Sequence, residues 1–272
     1  MKRLLFVALA ITFLTGAYAA AQMAVFIDGA DFESYVSAPA GPCFDKNICC
    51  PFTIEAWFKP FDAQGERMVL NKEDTWEFAS QAGTFMAAVA RANDVGRNDG
   101  WTWHNSELSV GVNVWNHGAM SWDPPKVQMY LNGKEGKIEE WGGKELTWAH
   151  QDTFKMGRRE RGGATHSIFF GLIDEARISK GQRYKGDYDV PKTEFVPDAD
   201  TTALYHLNEV EGAASIVNHA KEGGAADPCP DATLEGAVEL QEVDDQPFEP
   251  FSVQPGGKMT TTWGHVKDRP VY

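Results

Sequence analysis

Hydrophobic and polar residues alternate with a period of two along most of the chain. The runs lie at 23–27, 32–37, 52–58, 67–71, 75–79, 85–89, 112–122, 126–131, 154–156, 168–178, 203–207 and 232–240. Successive side chains of a strand point to opposite faces, so each run predicts a strand with one face toward a core. In 52–58, Ile54, Ala56 and Phe58 share one face and Thr53, Glu55 and Trp57 the other, which predicts packing of one face on a second sheet. Turn chemistry separates the runs at Asp28-Gly29, Asp99-Gly100, Asp123-Pro124-Pro125, Asn132-Gly133 and Gly162-Gly163. Asn132-Gly133, following an alternating run, predicts a tight hairpin. The stretch 209–221 has weak helical character interrupted by Gly212 and predicts a loop or one short helix. After Leu240 the period vanishes, so 241–272 predicts an extended tail.

Composition sharpens this into an all-β chain. The 26 Gly, 14 Pro and 32 aromatic residues (9 Trp, 16 Phe, 7 Tyr) favour short strands and tight turns over long helices. With 43% hydrophobic and 24% charged residues the chain is a folded protein, and disorder, collagen and coiled coil are excluded. A chain of 272 residues can bury a large core, so folding alone requires no metal or cofactor.

The first 21 residues have a different logic. Lys2 and Arg3 precede an apolar run from Leu4 to Leu14, and A-x-A patterns end at Ala19 and Ala21. That order is the order of a cleaved secretory signal, and the run is too short to span a bilayer. Removing Lys2 and Arg3 leaves 23 basic against 39 acidic side chains, a net charge of −16 in place of −14. Such a surface repels phosphate backbones and anionic lipid, which argues against nucleic acid and membranes as partners. No later apolar run spans a membrane. The reading is a protein secreted to the periplasm, cell surface or medium.

Export makes Cys43, Cys49, Cys50 and Cys229 legible as two disulfides. A bond between adjacent Cys49 and Cys50 closes a strained eight-membered ring. The expectation is one bridge from Cys43 to Cys49 or Cys50, and a second from that loop to Cys229, bringing the ends of the fold together.

Several segments, in this order, resemble laminin-G-like, concanavalin A-like jelly-roll domains. They are Ile27-Asp28-Gly29 with Tyr35-Val36-Ser37-Ala38-Pro39, then Phe52–Pro60, Trp115-Asn116-His117-Gly118-Ala119-Met120-Ser121-Trp122-Asp123, Met129-Tyr130-Leu131-Asn132-Gly133, Phe154-Lys155-Met156-Gly157 and Phe170-Gly171-Leu172-Ile173-Asp174-Glu175-Ala176-Arg177-Ile178. The resemblance implies a two-sheet antiparallel jelly-roll β-sandwich over residues 22–240. One segment is displaced: Ala203-Leu204-Tyr205-His206-Leu207-Asn208-Glu209-Val210-Glu211-Gly212 resembles the strand that commonly opens these domains, yet here it follows the Ile-Asp-Glu strand. Closure of the same domain by a permuted strand is the preferred reading.

The family also implies calcium, and Asp28 and Asp174 match positions where a ligand is expected. Asn93-Asp94 and Asn98-Asp99 add a second oxygen-rich loop, and Ca²⁺ takes six to eight oxygens. Glycan binding requires an aromatic for stacking with polar groups beside it. Trp101, Trp103 and His104 supply the first, and the basic cluster Arg158, Arg159 and Arg161 the second, on expected loops or strand ends. Related glycan-cutting enzymes use two carboxylates on one strand face. Asp174 and Glu175 are adjacent, and in a regular strand they would point to opposite faces. No Ser or Cys triad motif accompanies the histidines. The functional expectation is a non-catalytic, carbohydrate-binding module. Behind it come a module binding an extracellular or surface protein in adhesion or assembly and, last, a glycoside hydrolase.

Overall fold

The computed structural model describes residues 22–148, 151–159, 167–246 and 248, with the backbone of 253–254 and 258–259. The expected leader therefore lies outside the described residues. The strands are β1 (Met23–Asp28), β2 (Tyr35–Ala38), β3 (Phe52–Pro60), β4 (Glu66–Lys72), β5 (Trp76–Gln81), β6 (Thr84–Ala92), β7 (Asn98–Ser109), β8 (Asn116–Asp123) and β9 (Lys126–Leu131). After them come β10 (Lys134–Glu135), β11 (Glu139–Glu140), β12 (Phe154–Met156), β13 (Phe170–Lys180), β14 (Thr201–Tyr205), β15 (Ser215–Ile216), β16 (Ala232–Glu235) and β17 (Glu239–Glu242). A two-stranded ladder of Val253–Gln254 with Lys258–Met259 forms a separate unit.

Two antiparallel sheets make the sandwich. The first runs β10-β9-β8-β3-β13-β1-β17, with β11 beside β9 and β14 beside β13; the second runs β15-β16-β2-β12-β4-β5-β6-β7. Ile54, Ala56 and Phe58 of β3 meet Phe78 and Phe85 of the second sheet in the main core, as the alternation predicts. The Asn132-Gly133 turn joins β9 to β10 with φ of 52° and 79°, a left-handed backbone that Asn tolerates and that Gly, lacking a Cβ, adopts freely. A Cβ at Gly133 would stand 2.1 Å from the Tyr188 carbonyl, a second reason for glycine there.

The displaced segment closes the first sheet. β14 pairs with the second half of β13 while β1 pairs with its first half, and β16 and β17 return to β2 and β1. Residues 209–221 form the short β15, and a 3₁₀ turn over His219–Gly223 is capped by Asn218, whose Oδ1 accepts from Ala220 N.

The first sheet is buried on both faces. Trp57, Ala24, Leu172 and Leu204 form a second core with Trp115, Phe195 and Phe248. After β17, Phe248 lies against the Trp57 ring at 5.6 Å, and Asp245 pairs with Lys59 at 2.6 Å.

The disulfides differ from the expected pattern. Cys43 is joined to Cys229, their Cα atoms 5.4 Å apart, and Cys49 to Cys50. Cys43 lies in a 3₁₀ turn whose Phe44 stacks on Phe154 of the core, and this placement brings it to Cys229 rather than to the nearby cysteines. The adjacent pair is left to itself.

Candidate functional site: the outer face of the second sheet

Trp101 and Trp103 lie within a twelve-residue strand, β7, not on a loop. Thr102 and His104 pair with Val89 and Ala87, which face the core, so the alternate residues Trp101 and Trp103 point outward beside Ala90 and Ala88. The two half-buried indoles meet edge to face at 5.7 Å. Alanines on the neighbouring strand leave them standing above a low floor.

From this floor a row of outward residues crosses the sheet: Trp103, Ala88, Glu77, Asn71, Lys155 and Ser37, each registered with the next. Glu77 is fully buried, and sequence reasoning missed it. The signal was present, since Glu77 alternates with Trp76 and Phe78 and so had to be the polar member of its strand. Arg159 reaches over the row. Its Nη2 donates to Glu73 Oε1 at 3.0 Å and to Glu77 Oε1 at 3.2 Å, and its guanidinium lies 5.9 Å from the Trp101 ring centre. Burial pushes the Glu77 carboxyl up to about 8 against the pull of Arg159, helped by the nearby charges of Glu73 and Glu66. Among the described residues, Glu77 Oε2, Trp101 Nε1 and Arg159 Nε are buried without a hydrogen-bond partner.

The other expected binding residues separate. His104 faces the interior, where its Nδ1 contacts Glu139 Oε2 at 2.9 Å and its ring meets Trp141 edge to face at 5.5 Å. Burial lowers its pKa despite Glu139. The alternation that turns Trp103 outward turns His104 inward, so it does not belong with the tryptophans. Arg158 turns toward Tyr35, 4.8 Å from its ring centre, and donates to the Phe32 carbonyl. Arg161 lies outside the described residues.

Asp28 and Asp174 do not meet. Asp28 pairs with Phe170 and Val25 with Ile173, which places Asp174 four residues along the ladder, about 13 Å away at 3.3 Å per residue. Asp28 Oδ1 accepts from Ala30 N and Asp31 N, closing its own turn. Asn93 Oδ1 accepts from Val95 N and Arg97 N, and Asn98 Oδ1 from Gly100 N, in the same manner. These residues do not fit a common calcium ion.

Asp174 and Glu175 correct a second expectation. β13 gains one residue against β3 between Asp174 and Arg177, and Glu175 takes a φ of 51°. The bulge turns both carboxyls to the outer face of the first sheet. Asp174 accepts from Glu175 N and Gln246 Nε2, while Glu175 accepts from Phe195 N and pairs with His206 Nδ1 at 2.6 Å. Both are fully buried, and burial raises both, with Glu175 charge adding to the rise at Asp174 and His206 opposing it at Glu175. Glu175, Glu194 and His206 bring ligand-type atoms within 4.8 Å of one another. Glu175 and Glu194 raise the pKa of this imidazole against the effect of burial.

A further charged group under the covering segment is structural. Glu55 accepts from Arg177 Nε at 2.7 Å and from Tyr184 OH at 2.6 Å, and lies 3.1 Å from His117 Nε2. Burial works to raise its pKa, but Arg177 and His117 hold it far below the usual carboxylate range.

The chain belongs to the concanavalin A-like lectin/glucanases superfamily, whose profile matches residues 28–185. Its fold is similar to that of a Bacteroides ovatus ATCC 8483 protein proposed to bind carbohydrate, with a TM-score of 0.60 at 15% identity over 83% of this chain. The chain spans 61% of that structure's length. Lesser similarity extends to domains LG4-5 of the mouse laminin α1 chain (TM-score 0.44, 18% identity, 64% of this chain and 47% of that one). It extends also to a heptameric SAP-like pentraxin of Limulus polyphemus (TM-score 0.41, 15% identity, 60% of this chain and 77% of that one). No curated protein sequence matches. Among the described residues, no helix is long and apolar enough to cross a membrane.

Proposed function

We propose that the protein is an exported, non-catalytic carbohydrate-binding module whose combining face is the outer surface of the second sheet around Trp101 and Trp103. The observation that carries this reading is the pair of outward indoles above Ala88 and Ala90. Indole faces take the C–H faces of sugars, and the exposed Asn105 amide on the same strand offers polar contacts to hydroxyls. A carbohydrate-binding role proposed for the Bacteroides ovatus protein of the same fold supports the reading. The leader pattern and the Cys43–Cys229 disulfide support export. The buried carboxyls Asp174 and Glu175 lie under Phe195 and Gln246, which supports binding over hydrolysis at that face.

A glycan array probed with the wild type and with a Trp101→Ala/Trp103→Ala double variant tests the reading. The wild type should be retained and the variant lost, with and without EGTA, since Asp28 and Asp174 share no ion. A folded wild type retained by no glycan would overturn the reading in favour of a protein-binding surface.

A further inference from the structure

The two disulfides differ in what they can do for the fold. Cys43 and Cys229 are 186 residues apart in the chain and each is only 4% exposed, so their bond closes a long loop and is shielded from solvent. Cys49 and Cys50 are neighbours, and a bond between neighbours encloses no chain. It withholds no loop freedom from the unfolded ensemble, and loop-closure stabilisation vanishes with the loop. Both residues are half-buried against the edge of the main core, one residue before β3, and so are open in part to solutes.

The surroundings of Cys49 fit sulfur in either oxidation state. Residues 145–147 are fixed to β6, because Ala92 N donates to the Glu145 carbonyl at 2.8 Å and Thr147 N to the Ala90 carbonyl at 3.1 Å. Between them, Leu146 N donates to Cys49 Sγ at 3.3 Å, and the Lys144 carbonyl lies 3.9 Å from the same sulfur. A fixed N–H stabilises negative charge on the sulfur it points to, and a carbonyl beside it can take the hydrogen of a thiol. Among the described residues, this donor serves Cys49 and not Cys50.

We infer that Cys49–Cys50 is a thiol–disulfide exchange site, opened by a small dithiol while Cys43–Cys229 and the sandwich stay intact. One thiolate of the dithiol attacks Cys50 Sγ. The bond between the two cysteines breaks, and its electron pair leaves on Cys49 Sγ, where the Leu146 N–H meets the charge. The product is a mixed disulfide between the reductant and Cys50. The second thiolate of the reductant then attacks the reductant's own sulfur in that bond, which closes a cyclic disulfide and releases the Cys50 thiolate. The dithiol loses two electrons and the cysteine pair gains them, while the two protons given up by the dithiol end on the cysteine thiols. Exposed disulfides are the reducible ones, and shielded disulfides that restrain a fold resist reduction, which sets the order of opening.

The test treats the folded, full-length protein with graded dithiothreitol, alkylates with iodoacetamide and maps the labels by peptide mass spectrometry. Expected is labelling of Cys49 and Cys50 at a dithiothreitol concentration at least about tenfold below that which labels Cys43 and Cys229, with an unchanged circular dichroism spectrum and urea midpoint. A Cys49→Ser/Cys50→Ser variant should keep that midpoint and take up no label in the same range. Glutathione, a monothiol, halts the exchange at the mixed disulfide, and after trapping with iodoacetamide its adduct should fall mainly on Cys50, with the alkyl group on Cys49. Opening of Cys49–Cys50 only together with or after Cys43–Cys229 would overturn the inference. So would unfolding on its reduction alone, a lower midpoint in the double variant, labelling of either residue before reductant is added, or an adduct carried mainly by Cys49.

Discussion

Asp174 and Glu175, neighbours in the chain, present their carboxyls to the same face of the first sheet, because β13 bulges between Asp174 and Arg177 and Glu175 adopts a left-handed φ of 51°. The bulge falls where β13 changes partner from β1 to β14 on one edge. One extra residue thus accommodates the fork in the sheet, and the cost is two acids buried side by side, for which His206 is the nearest base.

That cost should depend on pH. Burial raises both carboxyls in the folded state, so the folded protein binds protons that the unfolded chain has released. Their contribution to stability is complete below the unfolded carboxylate pKa of about 4 and declines as pH rises through the higher folded values. Asp174→Asn removes one member of the pair and keeps an acceptor for Glu175 N. Thermal melts should place the variant above the wild type by more at pH 8 than at pH 4.5, at about 2–4 °C for each kcal/mol regained. A difference that is constant across this range would contradict the assignment.

Glu55 and Arg177 carry the opposite sign. Their pair is buried on the far side of β3 from the main core, with His117 and Tyr184 satisfying the remaining oxygen. Arg177→Met removes the hydrogen-bonded cation of a buried carboxylate and leaves it Arg183 at 3.8 Å, which should cost about 3–5 kcal/mol. Adding Glu55→Gln to that variant should recover most of the loss. Urea denaturation of both variants checks the order, and equal stability of the two would show that the charge is not what matters.

The alternation made most of the sandwich legible before any coordinates, because strands that pack one face on a core announce that face. Three things stayed hidden for physical reasons. β7 carries Trp, Thr, Trp, His and Asn in place of aliphatic residues, so its length was not apparent, although the outward aromatics themselves were. The outer face of β3 reads as solvent-facing in sequence, with Thr53 and Glu55, but residues 182–196 and Phe248 cover it from far along the chain. The Asp174–Glu175 bulge is a tertiary demand of the forked sheet, and nothing in Ile173-Asp174-Glu175-Ala176 signals an extra residue. Of the proposed combining face, Trp101, Trp103 and Arg159 were identifiable from residue type, while Glu77 required the register.

The Cys43–Cys229 bond ties positions 186 residues apart. In the loop-entropy picture a closed loop of that size restricts the unfolded chain by about 5 kcal/mol. A Cys43→Ala/Cys229→Ala variant should lose a comparable amount in guanidinium denaturation, and the denatured, unreduced wild type should titrate with no free thiol. Two reactive thiols in the wild type would contradict the pairing.

Trp76 and Trp103 offer the decisive contrast, because they face opposite ways from neighbouring positions of one sheet. Trp76 is fully buried, donates Nε1–H to the Phe44 carbonyl at 2.7 Å and packs on Phe154, so Trp76→Ala should cost about 3–5 kcal/mol and impair folding. Trp103 is half-buried and leans on Trp101 above an alanine floor, so Trp103→Ala should cost about 1 kcal/mol while abolishing glycan retention. Chemical denaturation and affinity electrophoresis on the same two variants separate stability from binding. Trp103→Ala as destabilising as Trp76→Ala would mean that the indole belongs to the core. A stable Trp103→Ala that still bound would move the combining face away from β7.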